Sequence, residues 1–444
     1  MDRALAHPSL ALPDRLATRA GLPTVWVMFG AAAAVRLLAL AAFYVAAIVT
    51  GHPGHFDLGD PVYYDRWAWY VAEHLRQGHL VDIRPTSLAG TYDVGFEYIV
   101  GVQYAIVGHH PEVARAVDAV LAGACAPLVY VAGRRTVIGE GPARTAGWLM
   151  ALWPLSIYWS GYDLIKDPIV CSLLALVMVA ITAPRRLQYV VMGTGTTIAL
   201  VIVRSYVGIG TLLLTPATAL FRRDWRSFVA ILAAIVVGQA GLIAAHHPPV
   251  YSFLSYSGNG LPFVTKDQRI AQGSLASIAG QATGDTSNSG LQKAEGGSDA
   301  TSVLRQPPRL IIERLAVGTV ITLLGPRPAL KDILHPTLDS WMYPGMLVWI
   351  LLIPFTFLGF VRAARRRDPI EISFALMSLG MLLLLSFFYG GVFRQREMIW
   401  PSTLLFTASG LHGPFPRRWG WIYLGFLAVG LLLLAAREVT SNLF

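Results

Sequence analysis

The chain has 444 residues, 55% of them hydrophobic and 14% charged, and a mean hydropathy of +0.54. Soluble globular proteins carry about 25% charged residues, so that class is excluded and a polytopic, all-α membrane protein is expected. The formal net charge of +9 comes largely from short Arg clusters between apolar runs, which is how topology is encoded, and it implies no nucleic-acid partner.

Taken in order, residues 1–24 form a polar segment containing Arg3, Arg15 and Arg19. The run Val25–Thr50 is too long for a signal-peptide core and lacks a small-residue cleavage site, so it reads as a membrane span. Further spans are expected over Val113–Ala132, Ala143–Ser160, Pro168–Ala183, Gln188–Val203, Tyr206–Phe221, Ser227–His246, Trp341–Val361, Ile370–Gly390, Met398–Leu411 and Trp419–Ala436. That makes about 11 transmembrane helices, several shorter than the roughly 20 residues a crossing needs. The organisation is then a transmembrane core over 25–246, an outer loop over 247–340 with a Gly/Ser/Ala-rich middle, and C-terminal transmembrane helices over 341–444. Cys125 and Cys171 each lie inside an apolar run and offer neither a disulfide framework nor a zinc site.

Two apolar stretches, Phe96–Gly108 and Leu310–Leu324, are ambiguous, and the positive-inside rule decides them. If neither crosses, Arg134/Arg135/Arg144, Arg185/Arg186, Arg222/Arg223/Arg226, Arg362/Arg365/Arg366/Arg367 and Arg417/Arg418 all share the side of the N-terminus. Both stretches therefore read as re-entrant or interfacial helices, with a cytoplasmic N-terminus. Asp57, Asp60, Asp93, Glu97, Asp163, Lys166, Asp167, Arg204, Arg394, Arg396 and Glu397 then fall on the outer side, where distant segments can build one site.

The segment His55–Tyr70 gathers carboxylates and aromatics where the first span leaves the lipid. Val62–Gln77 has Trp67, Tyr70, Val71, His74 and Leu75 at helical spacing, as an interfacial amphipathic helix does. Pro61 suits its first position and Asp60 its N-cap. Asp60 reads either as a cap, which the local pattern favours, or as an exposed carboxylate able to take a proton from a hydroxyl. Asp93 and Glu97, at i and i+4, are a second acidic group or, more simply, a solvated helix end. Pro154 ends a span ahead of Lys166 and Asp167, which read as a mutual ion pair or as functional charges at a membrane boundary. Arg204, Arg394 and Arg396 break the inside bias and could fork onto a lipid-linked phosphate or snorkel to ordinary headgroups. No phosphate-cradling loop, HExxH or CxxC is present.

In this order the pieces resemble the integral-membrane glycosyltransferases of the GT-C class, specifically the bacterial relatives of protein O-mannosyltransferases and of the lipid A aminoarabinose transferase (glycosyltransferase family 39-like). The resemblance rests on Asp60-Pro61-Val62-Tyr63-Tyr64 after the first span, on Phe96–Arg115, on Pro154, Ser160 and Asp167, and on the span ending at Arg204. It closes with Arg394-Gln395-Arg396 leading into Trp400-Pro401. Two departures stand out: Pro61 occupies the place of the family's frequent second acid, and Thr91-Tyr92-Asp93 replaces a Lys-Pro-Pro, which removes support for aminoarabinose transfer.

The resemblance implies a cytoplasmic-membrane enzyme with its site on the outer face, moving a sugar from a polyprenyl-phosphate donor to a glycan, lipid or protein acceptor. Asp60 would be the general base, with Asp57, Asp93 and Glu97 as further acidic candidates. Tyr63, Tyr64, Lys166, Asp167, Arg204, Arg394 and Arg396 would contact substrate, the arginines neutralising the leaving phosphate. No cofactor is required; a divalent metal is admitted, not demanded. The competing classes are an O-antigen-type polysaccharide polymerase or ligase, and a transporter of lipid-linked sugar. The last needs polar residues near the bilayer midplane, of which the spans look nearly free.

Overall fold

A computed structural model describes residues 23–50, 60–81, 83, 94–244, 308–324, 342–389, 394–416, 420–421 and 423–425. Among these residues the fold is all helical, with no strand. The helices are α1 (Thr24–Thr50), α2 (Asp60–Arg76), α3 (Gly95–Val107), α4 (Pro111–Gly123), α5 (Cys125–Gly133), α6 (Glu140–Ala151), α7 (Pro154–Tyr162) and α8 (Asp167–Ile181). There follow α9 (Arg186–Val203), α10 (Ser205–Phe221), α11 (Trp225–Ala244), α12 (Pro308–Leu324), α13 (Tyr343–Arg366), α14 (Pro369–Tyr389), a 3₁₀ turn (Arg394–Ile399) and α15 (Trp400–Leu411).

Five stretches are long and apolar enough to cross a bilayer: Thr24–Val49, Pro111–Gly133, Arg186–Val203, Tyr343–Arg366 and Pro369–Ser386. Large apolar side chains on such helices face outward, with Leu38 69% and Val49 78% exposed. No aqueous surface tolerates such a face, so these helices mark a membrane protein. The expected count of about 11 is not reached among the described residues. Most of Trp419–Ala436 lies outside them, α8 has only 15 residues, and the span expected over Ala143–Ser160 is two helices.

The break has a sequence cause. Pro154 has no N–H for the carbonyl of Met150 and drives the residue before it out of helical geometry, and Trp153 is extended at φ −67°, ψ 112°. Arg36, fully buried near the middle of α1, supplies the missing donors. Its Nη1 donates to Ala151 O at 3.0 Å and its Nη2 to Met150 O at 3.2 Å and to Ser156 Oγ at 3.0 Å. At the other end of α7, Arg115 of α4 donates to Gly161 O at 3.0 Å and to Tyr162 O. The nine-residue α7 is thus tethered at both ends by guanidinium groups from other helices. Arg36 and the buried Asp118 of α4, which meets Gln103 of α3, correct the expectation that the spans are nearly free of polar groups.

Below this level the core is aromatic. Trp153, Trp349 and Trp400 form a buried triangle with centroid separations of 6.2, 4.9 and 4.7 Å. Helices α13 and α15 cross closely because Gly359 and Gly410 carry no Cβ, which would sit 1.9 Å from Phe406 O and Phe355 O respectively. Helix α2 lies along α3, and its buried stripe is Tyr64, Ala68, Val71 and Ala72. The face expected to anchor it turns partly aside: Trp67, Tyr70 and Leu75 are only half-buried and pack on a satellite cluster of Val71, Ile83 and Val94.

Candidate functional site

The charged residues expected to be functional are held at helix ends. Asp167 opens α8, immediately ahead of Pro168, and is completely buried. Arg204 is the single residue joining α9 to α10, at φ −152°, ψ 87°, its N–H bonded to Leu200 O and its carbonyl to the Gly208 N–H. That sharp junction turns the guanidinium toward α8, where Nη2 lies 3.7 Å from Asp167 Oδ1 with both side chains buried. Lys166 is also buried, and its ammonium stands 5.3 Å from the centroid of the Tyr64 ring. Lys166 and Asp167, read either as a mutual ion pair or as functional charges, each engage a neighbour from another segment, Tyr64 and Arg204 respectively.

Tyr64 brings the acidic segment into the same place. Its ring packs edge-on against Phe96 at 5.1 Å and against Tyr63 at 6.0 Å. Gly95, at the start of α3, sits against Ile202, two residues before Arg204, where a Cβ would come within 2.6 Å of the Ile202 side chain. Glu97, one residue beyond Phe96, is 2% exposed, so it is a buried carboxyl and not the solvated helix end that the local pattern favoured. Asp60 begins α2 one turn before Tyr64, but only its backbone is described, and Asp57 and Asp93 lie outside the described residues.

Behind this group stands the 3₁₀ turn. Arg396 is 1% exposed, and its donors go to Leu323 O at 3.3 Å and Met346 Sδ at 2.7 Å, with the guanidinium 5.6 Å above the Trp400 ring. It thus ties α12 and α13 to the turn, and burial lowers its pKa to about 9. Of Arg394 only the backbone is described. Glu397, named among the outer-side charges but assigned no role from the sequence, is completely buried. Its Oε1 accepts from Trp400 Nε1 at 3.2 Å, and its backbone carbonyl takes the Cys171 thiol at 3.3 Å, one turn along α8 from Asp167. Burial pushes this carboxyl up to about 7 against the pull of Ser156, Arg36 and Trp400, with the Asp167 charge adding to the rise.

The structure therefore brings together Tyr63, Tyr64, Lys166, Asp167 and Arg204, with the buried Glu97 one residue from the Phe96 that packs on Tyr64, Glu397 on Cys171 one turn along α8, and Arg396 engaged elsewhere. A cation pair flanked by buried carboxyls and aromatic rings can bind a phosphate ester, stack on a sugar face and exchange protons. Among the described residues no three His, Cys, Asp or Glu side chains converge as a metal set. Apart from this site, Asp65 of α2 accepts from Tyr104 at 2.6 Å and lies 3.0 Å from His109 Nε2, and burial with that hydrogen bond raises the Tyr104 pKa. This second cluster fastens α2 to α3.

Compared with known proteins, the chain matches no protein-family model and no curated protein.

Proposed function

We propose that the protein is a glycosyltransferase of the membrane, taking sugar from a polyprenyl-phosphate donor and passing it to a glycan, lipid or protein acceptor on the outer face. The observation that carries this reading is the convergence at the start of α8 of Lys166 on Tyr64 of α2 and of Arg204, from the α9–α10 junction, on Asp167, with the buried Glu97 beside the Phe96 that packs on Tyr64. Four buried charged groups at helix ends, Glu97, Lys166, Asp167 and Arg204, in a chain this apolar, cost desolvation energy that a lipid-linked anionic substrate would offset. Lys166 and Arg204 hold the donor phosphate and neutralise the charge it gains on leaving. Asp60, one turn from Tyr64, takes the acceptor proton as the acceptor oxygen attacks the anomeric carbon in a single inverting displacement. The test is a panel of polyprenyl-phosphate sugars against purified protein. One donor should raise the melting temperature of the wild type and not that of Arg204→Ala; equal behaviour of every donor with both proteins contradicts the reading.

Transport of a lipid-linked sugar is a second reading, favoured by the broken helix α6–α7 and the buried Arg36 at its break. Discontinuous helices of this kind line substrate paths in transporters. Covalent transfer of the sugar, as against its movement intact across a proteoliposome, separates the two.

A further inference from the structure

Glu397 differs from the other carboxyls of the site in its contacts. Asp167 has the Arg204 guanidinium at 3.7 Å, whereas the Glu397 carboxyl forms no ion pair among the described residues. Its Oε1 accepts from the neutral Trp400 indole at 3.2 Å, its Oε2 is buried without a partner among the described residues, and the Ser156 hydroxyl is near enough to favour the carboxylate. Ser156 itself takes a hydrogen bond from Arg36 at 3.0 Å, and Arg36 acts on the Glu397 charge without pairing with it. Arg396, its chain neighbour, directs Nη1 to Leu323 O and Nη2 to Met346 Sδ and acts on Glu397 through its charge alone.

The surrounding elements offer little else that ionises. Helix α8 contributes Asp167, Lys166 and the Cys171 thiol, and α5 contributes Cys125, whose Sγ is 3.6 Å from that of Cys171. Helix α7 presents Ser156, while its Tyr158 and Tyr162 stack on each other and against Phe43. Helix α15 brings no ionisable side chain, and the Glu371 of α14 is paired with Arg366 at 2.8 Å. Glu397 thus meets α8 at Cys171, one helical turn from Asp167, in a low-dielectric surrounding where Arg36 and Arg396 act on its charge without pairing with it.

Taking the site to be a phosphate-ester site, as proposed above, we infer that Glu397 is a proton-binding group coupled to it, accepting a proton when a phosphate ester settles on Lys166 and Arg204. The arriving anion adds negative charge beside Asp167 and draws on the cations that support the carboxylates, which makes an ionised Glu397 costlier and its protonated form the bound state. No bond other than O–H is made, and the proton comes from solvent. By linkage, affinity is highest and flat where Glu397 is already protonated, and falls as pH rises through its range, by at most about tenfold per pH unit. Free Glu397 titrates near neutrality, so the fall lies between about pH 6 and 8.

The probe is farnesyl methyl phosphate, a diester whose single charge does not change over that range. Its binding to the full-length protein in nanodiscs is measured by calorimetry at pH 6, 7 and 8, in two buffers of different ionisation enthalpy, to count protons. Wild type should bind roughly tenfold more weakly at pH 8 than at pH 6 and take up a fraction of a proton at neutral pH. Glu397→Gln should bind with no pH dependence and no uptake. If Glu397→Gln does not fold, Ser156→Ala serves: losing a hydrogen bond that favours the carboxylate should move the pH midpoint upward, and an unmoved midpoint overturns the inference. Binding without pH dependence in wild type, or with the same dependence in Glu397→Gln, also overturns it and leaves the phosphate site standing. Failure of the probe to bind at any pH overturns both.

Discussion

Arg36→Met removes the donor group that closes the break between α6 and α7. Three hydrogen bonds outside its own helix are lost, to Met150 O, Ala151 O and Ser156 Oγ. Each bond to a charged donor is worth about 1.5–3 kcal/mol, so roughly 4–9 kcal/mol of interaction disappears. Against that, an Arg at the centre of a membrane helix costs about 2.5–3.5 kcal/mol, which the Met variant recovers. The hydrogen bonds should win, because Pro154 denies the Met150 carbonyl its i+4 donor, leaving it a long 3.5 Å bond from the Trp153 N–H, and hydrocarbon offers no replacement. A net loss of about 3 kcal/mol is expected, read as a melting temperature lower by roughly 3 °C in nanodiscs. Arg36→Lys, with one ammonium in place of a fork, should fall between. A Met variant as stable as wild type would mean that burial of the charge outweighs its bonds, as it does for some buried ion pairs, and would refute the tether.

Other outcomes follow from the site and the topology. Arg204→Ala and Arg394→Ala should each weaken donor binding about ten- to hundredfold, Lys rescuing only in part, as titration of donor into purified protein will show. Arg204→Ala also strands the buried Asp167, so the double variant Arg204→Ala/Asp167→Asn should be more stable than Arg204→Ala alone; equal melting temperatures would sever the pair. Single cysteines at Ser87 and Ser289 should react with an impermeant thiol reagent in intact cells and one at Arg365 should not, the reverse pattern moving the proposed site to the cytoplasmic face. Gly359→Leu should separate α13 from α15 and sharply lower the yield of folded protein, whereas Gly380→Leu, where a Cβ meets nothing within 4 Å, should not.

Much of the helix pattern is legible in the sequence because apolar length and Pro or Gly punctuation are local signals. Phe96–Gly108 and Leu310–Leu324 appear as Gly95–Val107 and Pro308–Leu324, close to their expected bounds. Other features depend on partners far along the chain. The Pro154 signal is plain, but the run Ala143–Ser160 stays apolar across it, so only the tether by Arg36 and Arg115 reveals two helices. Arg36 itself is easily passed over inside Ala-Val-Arg-Leu-Leu, where one charge barely lowers the hydropathy of a long span. Glu97 looks like a solvated helix end from its neighbours alone, and its burial comes from α2 and α9 closing over α3. Glu397 follows the Arg-Gln-Arg that draws the eye, and its separation from direct cations appears only when Arg396 is seen turned toward Leu323 and Met346.

The central claim, sugar transfer from a polyprenyl phosphate, is tested most directly by Asp60→Asn in nanodiscs carrying labelled donors and a membrane extract as acceptor source. Asn caps a helix about as well as Asp but accepts no proton, so folding and donor binding should be kept. Wild type should release polyprenyl phosphate from at least one donor, and Asp60→Asn should do so roughly 10²–10⁴-fold more slowly. Full activity in Asp60→Asn would move the base to Asp57, Asp93 or Glu97; donors left intact by the wild type, or carried unchanged across the bilayer, would contradict the account.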